Sequence, residues 1–544
     1  MDYADNVNIR DIQDEMPAFE QNHIQAVLDS VKEMFDSLWL SLLSSPDVTS
    51  HTVDVVCGIV SDMLKKSLEL IKPNPSDYEK AVTYFSQEWC KTKSEYLRKQ
   101  ELYKSGDFIQ PEKYALNDRM EPVATFDGQH LRLKTDYMAF IPLEIFGGDF
   151  LAIQLYDDDY GTTNPLQTGS ASFYKMIGCY YRILNMPAEF QSTFEHIFLA
   201  YLAYSNDMAL NRHGFLRATI VHQLRQLENE GITVLIHGSQ VHFRVVLFNL
   251  FGDNLGLNQN GGYKSYFLGD NACRICHFNW EEICSIFEMS DNRLRTAEEY
   301  DEAAMSDNFN VRNDWGVKEN SAFNDLELFH VQECPSVDLM HDLFQGHVRY
   351  LIPMVFRSFE NYDTVFNAVA AFPFQGKDSF NIPRPTQNGD RMEQLKGMTA
   401  STVSTFIRLL PLILADILEE RTKVWNLLLL FQKIYDIVMA QHAEAEMLDN
   451  LKDLVQQYLS EFTRLGGHMT VKPHYMTHYE KMIKMYGPLW FSWSMRYEAK
   501  HQPFKQYSNV NRCHKNLPYT LAWKHQAFAC DIIRKMEKRS FDYC

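Results

Sequence analysis

Hydrophobic residues recur every three to four positions through the N-terminal part of the chain. The stretches IQAVLDSVKEMFDSLWLSLL and VDVVCGIVSDMLKKSLELI show this period, which places apolar side chains on one face of a helix. Pro46, and Pro73 with Pro75, stand where these two patterns end, and proline favours a chain break there. We therefore predict a helical N-terminal region over residues 1–115.

From about residue 122 to residue 185 the apolar period shortens to two, and residue types that favour strands dominate. The predicted strands are HLRLKTDYMAFIPL, DFLAIQLYDDDY and TGSASFYKMIGCYYRILNMP. The next stretches, AEFQSTFEHIFLAYLAYS and HGFLRATIVHQLRQLENEG, have helical spacing, and Gly231 is placed as a C-cap. ITVLIHGSQVHFRVVLFNLFGD then predicts a β-hairpin with its turn at residues 237–239.

Residues 286–468 return to helical spacing, with no internal repeat and no low-complexity segment. We predict one large helical insertion that packs on itself through apolar stripes such as Ile407, Leu410, Leu414 and Leu418. The predicted fold class is α/β with a large all-α insertion. Its sheet-forming core begins over residues 120–285 and is completed by residues 469–544, which end in a basic C-terminal helix.

The composition restricts the class of protein. With 544 residues, 45% hydrophobic and 13% aromatic, the chain is expected to fold into several domains. The longest apolar run, 406–418, is interrupted by Arg408 and Asp416 and is shorter than the roughly 20 residues of a membrane span. The N-terminus is acidic without an apolar signal region, and the ten cysteines have no regular spacing apart from one CxxC. We expect an intracellular protein, nuclear or cytoplasmic, that is not secreted and has no membrane partner.

The net charge of −19 argues against a nucleic-acid partner, but its distribution changes that inference. Residues 470–540 contain 13 Lys and Arg against 4 Asp and Glu, a local charge of +9 that leaves −28 on the remainder. A basic C-terminal zone on an acidic body is compatible with a phosphate-binding face. A solvated helical surface is an equally good interpretation of the charge alone.

Four carboxylates are candidates for a divalent-metal site. Asp157 and Asp158 stand near the predicted end of an early strand, Asp253 at the end of a later one, and Glu498 in a helical stretch rich in basic residues. Carboxylates without an obvious nucleophile–base pair suit Mg²⁺, which takes oxygen ligands. Two such ions about 3.5–4 Å apart stabilise the attacking and leaving oxygens of phosphoryl transfer. An aspartate at a strand end is also common simply as a turn or cap residue.

A second group of residues has the ligand types of a zinc site. Cys273 and Cys276 form a CxxC half-site, and His474 and His478, four positions apart, can share one helical face. Together they supply the four ligands of a Cys₂His₂ tetrahedron. Other ligands compete, namely His277 and Cys284, and a lone CxxC can also be accidental or redox-active.

Several separated motifs resemble those of a known group of proteins. In order they are GDNLGLN followed by CRICH, GVKENSAFN, SVDLMHDLFQGHVRY, KPHYMTHY, WSMRYEAKH and NLPYTLAWKHQ. Over residues 120–530 the chain resembles transposon-derived DDE transposase-like proteins related to the CACTA (EnSpm-like) superfamily. That plan is shared with Transib transposases and the V(D)J recombinase catalytic subunit.

The resemblance implies an RNase H-like mixed sheet that carries a DDE site and is interrupted by a helical insertion after the second aspartate. Register against the NPL element makes Asp158 rather than Asp157 the first acid, followed by Asp253 and Glu498. The neighbouring residues Asp157, Lys500 and His501 are then expected to assist cofactor binding. In that plan a CxxC follows the second aspartate, and a paired-histidine element precedes the glutamate by about twenty residues. The implied metal ligands are Cys273, Cys276, His474 and His478.

Two classes of function follow. The first is a DNA transposase that uses Mg²⁺ or Mn²⁺ to cleave transposon ends and join them to target DNA, with a structural Zn²⁺ and with a homodimer as an allowed assembly. The second is a domesticated or truncated derivative that acts as a non-catalytic DNA- or protein-binding scaffold. The chain departs from its relatives at Gln167, where a glycine is usual, and at Gln345, where an acid is frequent. It also shows no cysteine/histidine DNA-binding segment at its N-terminus.

Overall fold

The computed structural model describes most of the chain. The described residues are 18–71, 83, 95–105, 108, 124–125, 150–162, 175–186, 190, 193–236, 239–265, 267, 270–386, 395–418, 422–440, 444–511 and 516–541. The predicted strand HLRLKTDYMAFIPL lies outside these residues, as does most of the stretch between residues 72 and 123.

A mixed sheet forms the centre of the α/β part. Its strands are β1 (Ala124–Thr125), β2 (Phe150–Gly161), β3 (Lys175–Ile183), β4 (Phe198–Tyr204), β5 (Ile232–Ile236) and β6 (Ser239–Phe251). Their spatial order is β1-β4-β3-β2-β6-β5, with β1 only two residues long beside five longer strands. Among the strands that the structure describes, only β2 and β6 pair in parallel, and the other pairings are antiparallel. The predicted β5–β6 hairpin is confirmed.

One sequence-based prediction in this region is wrong. The stretch AEFQSTFEHIFLAYLAYS was predicted to be helical, but Phe198–Tyr204 forms β4. A short 3₁₀ helix precedes the strand at Phe194–His196, and the next α-helix begins at Ser205. The run FLAYLAY is almost continuously apolar because β4 lies between two other strands and is buried. Such a run fits a buried strand and a buried helix equally well, so periodicity alone could not separate them.

Six helices, α4 to α9, follow β4 along the chain, between residues 205 and 314. They are α4 (Ser205–Leu216), α5 (His222–Asn229), α6 (Asn254–Asn260), α7 (Trp280–Ser285), α8 (Ala297–Met305) and α9 (Phe309–Asp314), with a π-helical turn at Arg217–Val221 between α4 and α5. Gly231 follows α5 with φ +65° and donates its N–H to the carbonyl of Leu227, as a C-cap does.

The two faces of the sheet have different apolar partners. One face, with Leu155, packs against α4, α5 and residues 300–331. The opposite face, with Tyr156 and Tyr160, packs against the C-terminal helices through Tyr497 and Phe504. Because successive side chains of a strand point to opposite faces, neighbouring residues of β2 enter different environments.

The large helical body has a single extended core. It contains a π-helix (Met340–His347) and the helices α10 (Val348–Phe356), α11 (Tyr362–Ala371), α12 (Ala400–Leu414), α13 (Lys423–Val438) and α14 (Ala445–Arg464). Ile407, Leu410 and Leu414 are fully buried there, and Leu418 packs against the same core, as predicted. Residues 400–417 are long and apolar enough to cross a membrane, but more than half of this segment is buried in the protein, which is typical of a core helix.

The predicted boundary at residue 286 does not coincide with the division between the two apolar cores. Tyr300, Phe323 and Val331 pack with the sheet, whereas Cys273, Cys276 and residues 469–489 pack with the helical body. Part of the predicted helical insertion therefore packs with the sheet, and the Cys/His motifs belong to the core of the helical body.

The first described helix packs against the last one. The N-terminal helices are α1 (Ala18–Ser44), α2 (Ser50–Ile71) and α3 (Glu95–Ser105). The C-terminal helices are α15 (Val471–His474), α16 (Tyr479–Tyr486), α17 (Met495–Asn511) and α18 (Leu517–Phe541). Trp39 and Leu43 of α1 share a core with Trp523 of α18. The buried Lys524 Nζ donates to the carbonyls of Leu43 and Val48 at 2.5 and 2.8 Å, where α1 ends.

Candidate catalytic and metal centres

Asp158 and Asp253 lie level with each other across two neighbouring parallel strands. Tyr156 of β2 is in register with Phe251 of β6, and each aspartate stands two residues beyond its member of this pair. Parallel neighbours lie about 4.8 Å apart, so the two side chains emerge from adjacent backbones. Asp158 is not at the strand end that the sequence indicated, because β2 continues to Gly161 in its pairing with β3.

Asp253 is fixed by the start of α6. Its Oδ1 accepts the backbone N–H of Gly256 at 2.6 Å, so the residue is the N-cap of the helix. The backbone is closely packed here: a Cβ on Gly252 or Gly256 would approach the carbonyl oxygen of Asp157 to 3.2 or 3.3 Å. Two glycines therefore allow β6 and α6 to approach β2.

Glu498 reaches the same region from α17. Its neighbour Tyr497 stacks on Tyr156 with ring centroids 4.3 Å apart and donates its hydroxyl to Gln154 at 2.9 Å. The Tyr156 hydroxyl in turn donates to Oδ2 of Asp158 at 3.2 Å. The stacked tyrosines thus hold the helix that carries Glu498 against the strand that carries Asp158.

A histidine that the sequence analysis did not single out lies beside these carboxylates. His341 Nε2 is 3.3 Å from Oε1 of Glu498, and its Nδ1 is 2.5 Å from Oδ2 of Asp338. Asp338 is fully buried and also accepts the N–H and the hydroxyl of Ser494, the residue whose carbonyl accepts the Glu498 N–H. Asp338 therefore ties the start of the π-helix to the start of α17.

The charges of this group influence one another. Burial, then the charges of Asp253 and Glu498, raise the pKa of Asp158 to about 8. Burial also raises the pKa of Glu498, against the opposing effect of His341. For His341 burial lowers the pKa, but Asp338, Glu498 and Asp253 outweigh it and raise the value to about 9. The three acids thus repel one another, and a bound cation would relieve that repulsion.

The structure does not bring Asp157, Lys500 or His501 to this group. Asp157 lies on the opposite face of β2, where its carboxylate accepts hydrogen bonds from Arg212 at 2.8 Å and from Asn260 at 2.6 Å. The alternation of side chains along the strand is the physical reason.

Lys500 and His501 are residues of α17 whose side chains are buried. Lys500 Nζ donates to the carbonyl of Phe194 at 2.6 Å, and burial lowers its pKa to about 7. His501 stacks on Tyr160 at 4.3 Å, and burial lowers its pKa to about 3. Lys500 and Lys524 are both turned inward, so the local charge of +9 overstates the number of cations available to a phosphate-binding face.

The second predicted group converges. Cys273, Cys276, His474 and His478 are all at most 1% exposed, and their ligand atoms lie within 4.8 Å of one another. Cys273 Sγ is 3.4 Å from Nε2 of His478, and Cys276 Sγ is 3.2 Å from Nε2 of His474. Zn–S and Zn–N bonds of about 2.3 and 2.0–2.1 Å in a tetrahedron put sulfur and nitrogen about 3.6 Å apart. The donor set and its closure therefore fit Zn²⁺.

The protonation states of His478 and Cys273 suit the same interpretation, whereas burial and the neighbouring Cys273 raise the pKa of Cys276 well above its ordinary value while no cation is bound. Burial lowers the pKa of His478, which keeps the imidazole neutral as a metal ligand must be. For Cys273 burial opposes ionisation, but hydrogen bonds with Cys276 and the two histidines hold its pKa well below the ordinary value. Nδ1 of both His474 and His478 has no hydrogen-bond partner among the described residues.

The competing ligands lie elsewhere. His277 pairs with Glu299 at 2.9 Å, and Cys284 is a half-buried residue of α7 that does not belong to the cluster. Neither a scan against protein-family models nor a search of curated proteins finds a match to this chain.

Proposed function

We propose that this chain is a transposase-like protein of the DDE class, related to the CACTA and Transib group, that cleaves DNA ends and transfers them with divalent metal ions. The observation that carries the proposal is the placement of Asp158 and Asp253 beside each other on parallel strands, with Glu498 carried by the helix that Tyr497 stacks against Tyr156. The three acids are separated by as many as 340 positions in the sequence, yet the charges of Asp253 and Glu498 both raise the pKa of Asp158.

The strand order supports an RNase H-like core. Three consecutive antiparallel strands, β2 to β4, are followed by helices and then by β6, which lies parallel to β2. This arrangement puts the first acid on the first long strand and the second acid after its parallel neighbour. The extra strand β5 lies at the edge as the hairpin partner of β6.

Oxygen ligands from three carboxylates suit Mg²⁺ or Mn²⁺, and a bound metal pair would neutralise charge on the attacking and leaving oxygens of a phosphodiester. In this arrangement Asp158, Asp253 and Glu498 hold the cations. His341 orients Glu498 through its Nε2, and Asp338 orients His341 through its Nδ1. Such partners behind metal ligands typically fix their orientation.

We further infer that Cys273, Cys276, His474 and His478 hold a structural Zn²⁺. All four ligand positions come from protein side chains and none is open to solvent, as in structural rather than catalytic zinc sites. The ion would join the segment that follows Asp253 to the segment that precedes Glu498 and so close the ends of the helical body.

The partner in this proposal is DNA, with transposon ends and target DNA as substrates. The place of action is intracellular, nuclear or cytoplasmic, with a homodimer as the allowed assembly. Basic residues that are not fully buried, such as Arg496 and Lys505, flank Glu498 on α17. The alternative of a non-catalytic scaffold predicts the same fold without turnover, so activity separates the two.

The test is nicking of a supercoiled plasmid by the purified full-length protein with Mg²⁺ or Mn²⁺. We expect metal-dependent nicking that falls by at least about a thousandfold in Glu498→Gln, because the metal pair loses a ligand. The matched control is Glu319→Gln, which changes a half-exposed acid that pairs with Lys318 and is not part of the carboxylate site. Equal nicking by Glu498→Gln and the wild type, or none by either, contradicts the proposal.

A further inference from the structure

We propose that Arg274, Asn254 and Asp342 form a positioning chain through which the Cys/His cluster holds Asp253 in place for divalent-metal binding. This inference rests on the proposed function, because it gives the carboxylate site a second set of supports. Arg274, Asn254 and Asp342 are not themselves proposed metal ligands. They connect the Cys/His cluster to the carboxylate site.

The chain begins inside the Cys/His cluster. Arg274 lies between the two cysteines of the CxxC and is 4% exposed. Its Nη1 donates to the hydroxyl of Tyr475 at 2.9 Å, and its guanidinium lies 4.6 Å above the Tyr475 ring. Tyr475 directly follows His474, so Arg274 contacts both halves of the cluster. Its Nε donates to the carbonyl of Ser336 at 3.0 Å, which fixes the guanidinium plane.

The middle of the chain is Asn254. Arg274 Nη1 donates to its Oδ1 at 3.0 Å, and its own Nδ2 donates to Oδ1 of Asp342 at 2.7 Å. Asn254 is the first residue of α6, and Asp253 is the N-cap of that helix. Clamping the Asn254 side chain from two directions therefore fixes the position from which the Asp253 carboxylate emerges.

The far end of the positioning chain is Asp342. Asp342 is fully buried in the π-helix, next to His341, which contacts Glu498. Oδ2 of Asp342 has no hydrogen-bond partner within the described part of the chain. A buried carboxylate with an unsatisfied oxygen is costly for folding. We therefore assign Asp342 a positioning role through the hydrogen bond that it accepts from Asn254.

A purely stabilising network is the competing interpretation. It predicts that breaking the chain lowers the melting temperature but leaves the metal affinity of the folded protein unchanged. A positioning chain instead predicts that the folded variant keeps its zinc but binds Mn²⁺ more weakly than the wild type. The affinity for Mn²⁺ below the melting transition therefore separates the two.

The experiment exchanges the two polar groups. Asn254→Asp sets two buried carboxylates against each other, and we expect the Mn²⁺ dissociation constant and the Mn²⁺ concentration for half-maximal nicking to rise about 10–100-fold. The double variant Asn254→Asp/Asp342→Asn restores complementary partners, with a carboxylate that accepts from Arg274 and from the new amide. We expect it to recover to within about threefold of the wild type, since only the polarity is reversed.

The matched control is Asn258→Asp, the same change on the same helix at a residue that is 2% exposed and donates instead to the carbonyl of Lys264 at 2.8 Å. It should leave Mn²⁺ affinity unchanged. If Asn254→Asp does not fold, Arg274→Lys, which keeps the charge but removes the planar fork, should weaken Mn²⁺ binding at unchanged zinc content.

The outcomes are distinct. Unchanged Mn²⁺ affinity in Asn254→Asp and Arg274→Lys, loss of zinc in both, or failure of the exchange to restore affinity overturns the positioning chain. A wild type that binds Mn²⁺ through Glu498 but does not nick DNA overturns the proposed function. The positioning chain would still be supported if Asn254→Asp weakens Mn²⁺ binding.

Discussion

The Cys/His cluster and the carboxylate site lie on connected elements but differ in burial and in the chemistry of their ligands. The four Cys/His ligands are buried to 1% exposure or less. The Glu498 side chain is 32% exposed and that of His341 is 16% exposed. The first group supplies soft sulfur and nitrogen ligands in a closed set, and the second supplies hard oxygen ligands, with the Glu498 carboxylate on a partly exposed side chain.

The difference indicates that one site serves stability and the other serves activity. A closed site contributes folding energy, whereas an open site of repelling carboxylates costs folding energy unless a cation is bound. Changes in the first group should therefore act on stability, and changes in the second on activity.

The largest effect is expected for the closed site. Cys276→Ser removes a thiolate ligand, and we expect loss of bound zinc and a fall in the free energy of unfolding of more than about 4 kcal/mol, which is exceptional for one substitution. Zinc analysis together with urea unfolding measures both quantities. The control, Cys284→Ser, changes a half-buried thiol outside the cluster and should cost less than about 1 kcal/mol. Equal zinc content in the two variants contradicts the interpretation.

His341→Gln should affect only the open site. Removing the partner that orients Glu498 should lower metal-dependent nicking about 10–100-fold while zinc content stays at one per chain. His330→Gln is the control, because His330 pairs with Asp301 at 3.2 Å in the same kind of contact away from both sites. Loss of zinc in His341→Gln, or equal nicking by both variants, argues against a role beside Glu498.

The open site should also make stability depend on pH. The pKa of Asp158 is raised to about 8 in the folded chain, so between its ordinary value of 3.8 and about 8 the folded state holds a proton that the unfolded state has released. Stability must therefore fall as pH rises through this window. Without added Mg²⁺ we expect the melting temperature to fall from pH 5 to pH 8, and less steeply in Asp158→Asn. Parallel profiles for the two proteins would remove the basis of this prediction.

The smallest effect concerns DNA affinity. Lys500→Met removes a buried hydrogen bond and should cost about 1–2 kcal/mol of stability. Because Lys500 donates to Phe194 rather than facing solvent, the salt dependence of DNA binding should not change. Lys505→Met removes a cation that is not fully buried and should reduce the slope by about one phosphate contact. Binding measured at several salt concentrations compares the two, and a reduced slope for Lys500→Met would contradict its inward placement.

The sequence predicted residues whose chemistry is local and missed those whose role depends on packing. The CxxC and the paired histidines have recognisable spacing, so their meeting could be proposed although about 200 residues separate them. The strand β4 was missed because an apolar run has no distinguishing period. Asp157, next to Asp158, was grouped with it although strand alternation sends the two side chains to opposite faces.

His341 and Asp338 were missed for a different reason. Their partners, Glu498 and Ser494, lie more than 150 positions away, and no local spacing connects them. The available signal was composition: SVDLMHDLFQGHVRY places two aspartates and two histidines within an apolar stretch. Charged residues are seldom buried unless they are paired, so such a stretch indicates a polar network inside the fold.

The most direct test of the carboxylate site is a Mn²⁺ titration of the zinc-loaded protein, followed by electron paramagnetic resonance. The account predicts that the wild type and the surface control Glu319→Gln bind about two Mn²⁺ per chain. Asp158→Asn and Glu498→Gln should each lose this binding while retaining zinc. Mn²⁺ binding that is equal in all four proteins would contradict a shared metal site of Asp158, Asp253 and Glu498.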